Sequence, residues 1–357
     1  MDLFSPIDLG DLHLANRVVM APLTRVRSGA EGVPGPLVAE HYAQRASVGL
    51  IITEGVYPGA DSRGYFGQPG IVTDAQEAGW RRVADAVHAE GGTIAMQLMH
   101  AGRVSHPDLT ESGRTLAPSA VAIDGEVHTQ HGKARHVEPH ALTEAELAVV
   151  RDEFVAAAQR AVRAGFDGVE LHAANGYLLH QFLSPASNVR TDGWGGSPEA
   201  RARFVIEVAQ AVSAAIGGGR VGIRISPAHN IQDVAETDAD ETRATYLALL
   251  DGIRPLGLAY VSVLHADPAG PLVQELRGHV DAGLVVNSGF GRQTDREEAV
   301  ALLERAHADA VAVGRAVIAN PDLVERWRRE APENAPRPEH FYSDGAEGYT
   351  DYPRLSA

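Results

Sequence analysis

Past the end of an apolar run, GFDGVEL, the segment HAANGYLLHQF brings His172, Asn175 and Tyr177 close together. An imidazole and a carboxamide can both donate hydrogen bonds to a substrate oxygen, and a phenol can hand over a proton. That set suits the addition of hydrogen to a polarised double bond. Each residue also has a plainer reading. His172 alone would serve as a satisfied core imidazole and Tyr177 as a packing aromatic; Gln97 would be a bonded buried amide and Arg224 an ion-pair partner. Their arrival together at strand ends is what favours chemistry.

The elements that must position them are eight short apolar runs separated by helical patterns. They span 17–23, 49–56, 93–99, 165–172, 220–226, 259–265, 283–289 and 308–314. Near-continuous apolar strands alternating with helices indicate a parallel sheet covered by helices, and eight such units predict a closed (β/α)8 TIM barrel. Helix starts are read at three capping boxes, Asp74 with Glu77, Thr143 with Glu146 and Thr294 with Glu297, and at Ser197-Pro198 and Asn320-Pro321. Gly165 and Gly217 close two long helices. Residues 101–142, rich in Gly, Pro, Ser and His, form an excursion after the third strand, a cap with a hairpin expected at VAIDGEV (121–127). No linker divides the chain, so residues 1–357 are expected to form one barrel domain.

Composition narrows the function. The formal net charge is −16 and no Lys/Arg-rich run occurs, which argues against nucleic acid and anionic membrane partners. No cysteine is present, removing thiolate nucleophiles, iron–sulfur ligation and Cys-based zinc sites. Lysine occurs once, at Lys133 in a polar segment, against Schiff-base chemistry. The N-terminus lacks a basic start followed by an apolar stretch, so a cytoplasmic protein is expected.

In a barrel of this kind, chemistry belongs at the C-terminal ends of the strands. Those ends carry Pro22, Leu23 and Thr24; Gly55; Gln97 and Met99; His172, Asn175 and Tyr177; Arg224; Gly289; and Gly314 with Arg315. The glycines with Arg315 resemble a phosphate cradle, where missing Cβ atoms let main-chain N–H groups approach and a guanidinium completes the clamp. Thr24, Gln97 and Arg224 suit a flat heterocycle with alternating donors and acceptors. A metal-dependent barrel hydrolase would need carboxylate and histidine ligands at several of these ends, so no metal is expected. A non-catalytic protein binding the same heterocycle would share the cradle, but not the full set of His172, Asn175 and Tyr177.

The chain resembles the old yellow enzyme family of FMN-dependent ene-reductases. The resemblance runs nearly end to end, through NRVVMAPLTRVRS, HYAQRASVGLIITEG, QLMHAGRVSHP, ELHAANGYLLHQFLSPASNVRTDGWGGS, GIRISP, AVGRAVIANPDLV and the tail FYSDGAEGYTDYP. Within the family the pattern is most similar to the pentaerythritol tetranitrate and N-ethylmaleimide reductase branch.

The resemblance implies a non-covalent FMN, NAD(P)H as reductant and ping-pong reduction of activated alkenes in a shared pocket, some members acting mainly on nitro or nitrate-ester compounds. It implies that Thr24 bonds the flavin O4 with Pro22 and Leu23 beside the ring, and that Gln97 and Gly55 meet the pyrimidine edge. Arg224 would sit near N1 and O2, Gly289, Gly314 and Arg315 would hold the phosphate, and Phe341 and Tyr342 would border the flavin and its substrate face. His172 and Asn175 would bind the substrate oxygen, Tyr177 would protonate the α-carbon, and Tyr65 would line the pocket. Two residues and one segment depart from the family pattern. Met99 replaces a tryptophan facing the substrate, Trp194 replaces a loop tyrosine, and a shorter cap leaves no assigned lid contact for Arg135. The resemblance specifies neither the physiological alkene nor the oligomeric state.

Overall fold

The computed structural model describes residues 1–355. Eight parallel strands are present, β1 (Val18–Met20), β2 (Leu50–Ile52), β3 (Ile94–Leu98), β4 (Gly168–Ala173), β5 (Val221–Ile225), β6 (Tyr260–Leu264), β7 (Gly283–Asn287) and β8 (Ala310–Val313). Each pairs with the next, and β8 pairs with β1, so the sheet closes into the expected barrel. Seven strands fall within the apolar runs, and β4 runs one residue past the end of its own, to Ala173.

Side chains alternate across a strand, and that alternation explains why buried strands can carry polar groups. Val169, Leu171 and Ala173 of β4 join the large core shared with the surrounding helices. The alternate positions, Glu170 and His172, belong to the other face. On that inner face Val19, Leu50, Ile52, Ala95, Val285, Ala310 and Ala312 form a second cluster. Leu9, Leu12 and Leu14 of an antiparallel hairpin (Ile7–Leu9 with Leu12–Leu14) complete it and plug the bottom of the barrel. Gly222 in β5 makes room for a neighbour: a Cβ there would lie 2.2 Å from the Tyr260 ring.

The helix termini are held by the expected type of cap, though not always at the expected residue. Thr143 and Glu146 form a capping box on helix Glu144–Arg163, and Ser197 caps helix Pro198–Ile216. Gly165 and Gly217 follow these helices with φ of +95° and +89°, values that favour glycine. Helix Asp74–Ala89 instead begins one residue earlier than read, with Thr73 and Gln76 forming the box. Asp295, not Thr294, caps helix Arg296–Glu304, because the Thr294 hydroxyl is engaged with Ser288. Asn320 N-caps no helix but ends the helix Arg315–Ala319; its side-chain amide bonds the Ala316 carbonyl and the Asn334 N–H, and the next helix, Leu323–Arg329, starts after Asp322.

The excursion after β3 contains two 3-10 turns, Gly102–Val104 and Pro107–Leu109, and a short parallel pair, Leu116–Ala117 with His140–Ala141. Its hairpin lies at Glu126–Thr129 and Gly132–Arg135, later than the expected VAIDGEV. The Asp124 main chain there is held by Asp233, so the chain reverses at Gln130-His131 instead, followed by Gly132 at φ +108°. Buried Arg103 fastens the cap to the loop after β5, donating to the carbonyls of Val121, Gln232 and Asp233. Arg135 is exposed and lies 3.8 Å from Asp124. Arg190 donates to the carbonyls of Pro118 and Leu142 and pairs with Asp192, and Asn188 donates to the carbonyls of Phe182 and Trp194; these residues brace the loop after β4. Among the described residues no helix is long and apolar enough to cross a membrane.

Candidate functional site

Strand register assembles the polar part of the site. Pairing of β3 with β4 sets Gln97 beside Glu170, and Gln97 Nε2 donates to Glu170 Oε1 at 2.8 Å. Pairing of β4 with β5 sets His172 beside Arg224, which in turn sits opposite Ser262 and donates to its hydroxyl at 3.1 Å. All are buried. Glu170 was not singled out from the sequence, although its place two residues before His172 put both on one face of the strand. Burial raises its pKa, while Arg224 and the Gln97 bond act in the opposite direction.

His172 is buried, and burial pushes its pKa well below 6.5, with Arg224 and His180 adding to the effect. It is therefore a neutral imidazole at neutral pH. Asn175 follows the strand at φ +57°, in the left-handed region that asparagine tolerates better than most residues, and Gly176 continues there at +79°. The Ser226 hydroxyl accepts from Asn175 N at 2.9 Å, and Gln232 Nε2 donates to the Asn175 carbonyl at 2.9 Å. Tyr177 packs its ring 5.0 Å from that of His172, and its hydroxyl lies 2.7 Å from the Tyr65 hydroxyl. Burial raises the Tyr177 pKa, against hydrogen bonds from Tyr65 and Gln232 that lower it, so the phenol stays protonated.

Beside these polar groups stands an apolar wall of Met99, Ala101, Val104, Ile123 and Tyr177, with Tyr65 packed on it. Ile123 comes from the cap, and nothing in its sequence neighbourhood marks it. Gly55 serves this wall: a Cβ there would lie 2.5 Å from Met99 Sδ, so the glycine is required by the methionine.

The other half of the barrel mouth has a different character. Gly289, at φ +88°, and Gly314 have no non-adjacent atom within 3.4 Å of a Cβ position; each would meet only a leucine carbon at 3.5 Å. Arg315 donates to the Phe290 carbonyl at 2.6 Å from a half-buried position. Because β8 neighbours β1, this cradle adjoins Pro22, Leu23 and Thr24, all half-buried. Leu23 packs with Phe341, Ile318 and Tyr352, whereas Tyr342 stands 70% exposed at the rim. The loop after Thr24 is held by a residue at the end of the second strand to which the sequence assigns no role. Buried Glu54 accepts from Arg25 N at 3.0 Å and Val26 N at 2.8 Å through one carboxylate oxygen. Val26 sits at φ +51°, unusual for a β-branched residue, and this clamp offsets that strain.

The fit to a flavin nucleotide can be tested on the polar atoms. Buried polar atoms are nearly always bonded, yet His172 Nδ1, Asn175 Oδ1, Arg224 Nε and Glu170 Oε2 have no protein partner. These four atoms lie on β4, β5 and the turn after β4, while the open glycine cradle lies across the mouth at β7 and β8. The residues fit a ligand with a hydrogen-bonding flat ring at one end and a phosphate at the other.

Buried neutral histidines also set an acid limit. Burial lowers His100 to about 3, and His41 and His172 fall well below 6.5. Unfolding below the ordinary histidine value takes up protons that the folded chain does not bind. Stability present above that value is therefore lost as pH falls, by up to about 1.4 kcal/mol per pH unit and site. The melting temperature is expected to drop steadily from pH 7 to pH 5; a flat profile would show that these rings are charged in the fold.

Residues 2–334 match the NADH:flavin oxidoreductase / NADH oxidase family. The chain is 41% identical to a probable flavin mononucleotide-dependent alkene reductase of Leishmania infantum, covering 98% of this chain and 97% of that one. It is 37% identical to 12-oxophytodienoate reductase 7 of Oryza sativa, covering 99% and 94%. Among solved structures, morphinone reductase superposes with a TM-score of 0.92 at 44% identity, over 99% of this chain and 96% of that one. The old yellow enzyme homologue of Zymomonas mobilis gives 0.94 at 37% identity, over 99% and 100%. The chain belongs to the NADH:flavin oxidoreductase / NADH oxidase family and is an FMN-dependent oxidoreductase of the old yellow enzyme type.

Proposed function

We propose that this ene-reductase divides its reaction among side chains at the ends of neighbouring strands. Bound FMN supplies the hydride that a reduced nicotinamide has delivered to it. Thr24, Gln97 and Arg224 would hold the polar edges of the ring. Pro22, Leu23 and Phe341 would pack beside it, and Gly289, Gly314 and Arg315 would take the phosphate. Gly55 would let the main chain approach the ring edge, and its missing Cβ also seats Met99.

His172 and Asn175 would bind the carbonyl or nitro oxygen of an activated alkene. Drawing electron density through that oxygen makes the β-carbon the site of hydride acceptance, and fixed donors in a water-poor site are strong stabilisers of the charge that develops. A neutral imidazole donates one N–H here without bringing a competing charge. Tyr177 would give its proton to the α-carbon, its hydroxyl oriented by Tyr65 at 2.7 Å. Met99, Val104 and Ile123 would exclude water and shape the pocket; Tyr342, at the exposed rim, would touch only the outer end of a substrate.

The observation that carries this reading is a buried His172 Nδ1 with no protein partner, next to Asn175 and a protonated, buried Tyr177. Reduction of a 2-methyl cyclic enone in deuterated water tests it. A product deuterated at the α-carbon with one configuration is expected, because the proton comes from a fixed donor. A racemic α-centre from the earliest turnover would mean that water, not Tyr177, protonates the product.

A further inference from the structure

Beneath the Asn175–Tyr177 turn lies a buried polar cluster that the reaction does not use. Gly176 N donates to His180 Nδ1 at 2.9 Å. An acceptor nitrogen carries no proton, so the ring N–H of His180 sits on Nε2. That nitrogen is 3.1 Å from Glu236 Oε1, which also accepts from the Tyr246 hydroxyl at 3.0 Å. The other oxygen, Glu236 Oε2, accepts from Ala228 N at 2.7 Å, and Asn230 Oδ1 accepts from Glu236 N at 2.7 Å. His180 and Tyr246 are fully buried and Glu236 is 6% exposed.

This carboxylate–imidazole pair has the construction of a nucleophile-activating dyad, yet the free imidazole nitrogen faces a main-chain amide. Gly176 is the residue between Asn175 and Tyr177, and both Asn175 and Gly176 occupy left-handed backbone. Two consecutive residues in that region form a turn that must be held from outside. We infer that the Glu236–His180 pair is a positioning device: it fixes the ring tautomer and pins the Gly176 N–H, aiming the Asn175 carboxamide and the Tyr177 phenol at one substrate. A carboxylate bonded to a ring N–H locks the tautomer and raises the basicity of the opposite nitrogen, as it does for histidines that bind metals. The same residue joins the loop after β5 to the turn after β4, since Ala228 and Asn230 belong to that loop, and so do Ser226 and Gln232, which bond Asn175 directly.

The inference rests on the proposed roles of Asn175 and Tyr177, and the test separates the two. Glu236→Gln keeps the shape but lets its amide donate to His180 Nε2, which favours the tautomer whose Nδ1–H opposes the Gly176 N–H. In the FMN-loaded protein labelled with 15N-histidine, the wild-type His180 signals are expected to show the proton on Nε2, and Glu236→Gln to shift them toward the other tautomer. Gly176 amide exchange is expected to accelerate at least tenfold in this variant, and the affinity for a simple phenol to fall about tenfold, the scale of one lost hydrogen bond. FMN affinity is expected to stay within twofold. In a His172→Ala/Asn175→Ala background, Glu236→Gln should add no further loss of phenol affinity. Tyr246→Phe, a milder change, should move Gly176 exchange in the same direction by a smaller factor. Unchanged Gly176 exchange in Glu236→Gln would overturn the clamp. Faster exchange with phenol affinity unaltered would overturn its positioning role. A wild-type protein that holds FMN but binds no phenol would contradict the oxyanion site itself, whatever the amide exchange shows.

Discussion

Replacing both His172 and Asn175 by alanine is expected to lower alkene turnover by about 100-fold to 1,000-fold, the loss typical of removing a preorganised donor to a developing oxyanion. Both side chains end in buried atoms with no protein partner, so truncation leaves no broken internal bond behind. The cost should therefore fall on the ligand more than on the fold. Neither change touches the cradle at Gly289, Gly314 and Arg315, so FMN should remain bound. Phenols, which present an oxygen to the same donors, should bind at least tenfold more weakly. Titration of the flavin absorbance with a phenol reads this directly, and unchanged phenol affinity would remove the oxyanion role from both residues.

Tyr177→Phe is expected to separate the two halves of the catalytic cycle. The substitution keeps the ring that packs 5.0 Å from His172 and removes only the hydroxyl bonded to Tyr65. Flavin reduction by a reduced nicotinamide involves no proton from this phenol and should proceed at nearly the wild-type rate. Reoxidation by an enone, whose saturated product is only weakly acidic at the α-carbon, should slow by about 100-fold or more, within the usual range for loss of a general acid. Nitroalkenes, whose nitronate products need no immediate protonation, should be less affected. Stopped-flow measurement of each half-reaction distinguishes this from a structural role, under which both rates would fall together.

Much of the fold was legible because a buried parallel strand leaves a distinctive trace. The apolar runs containing β1 to β8 could be counted, and their ends gave His172, Gln97 and Arg224 as neighbours before any register was known. The remaining residues were hidden for physical reasons. Glu170 acts from within an apolar strand and Glu54 from just past the end of one, where a carboxylate is legible as an oddity but its partner depends on the fold. Ile123 reaches the pocket wall only because Arg103 fastens the cap to the loop after β5. Gly55 was read as a close approach to the flavin, and its missing Cβ also leaves room for Met99, a contact no spacing rule encodes. The displaced caps at Thr73 and Asp295 have a similar origin: several adjacent residues could cap, and tertiary bonds such as Thr294 to Ser288 chose among them.

The most direct test of the account is an anaerobic titration of the purified protein. A yellow protein whose flavin absorbance bleaches with one equivalent of reduced nicotinamide, and returns fully on adding one equivalent of 2-cyclohexenone, is the predicted result. A bound flavin that bleaches but stays reduced in the presence of the enone would contradict the assignment of His172, Asn175 and Tyr177 to alkene reduction.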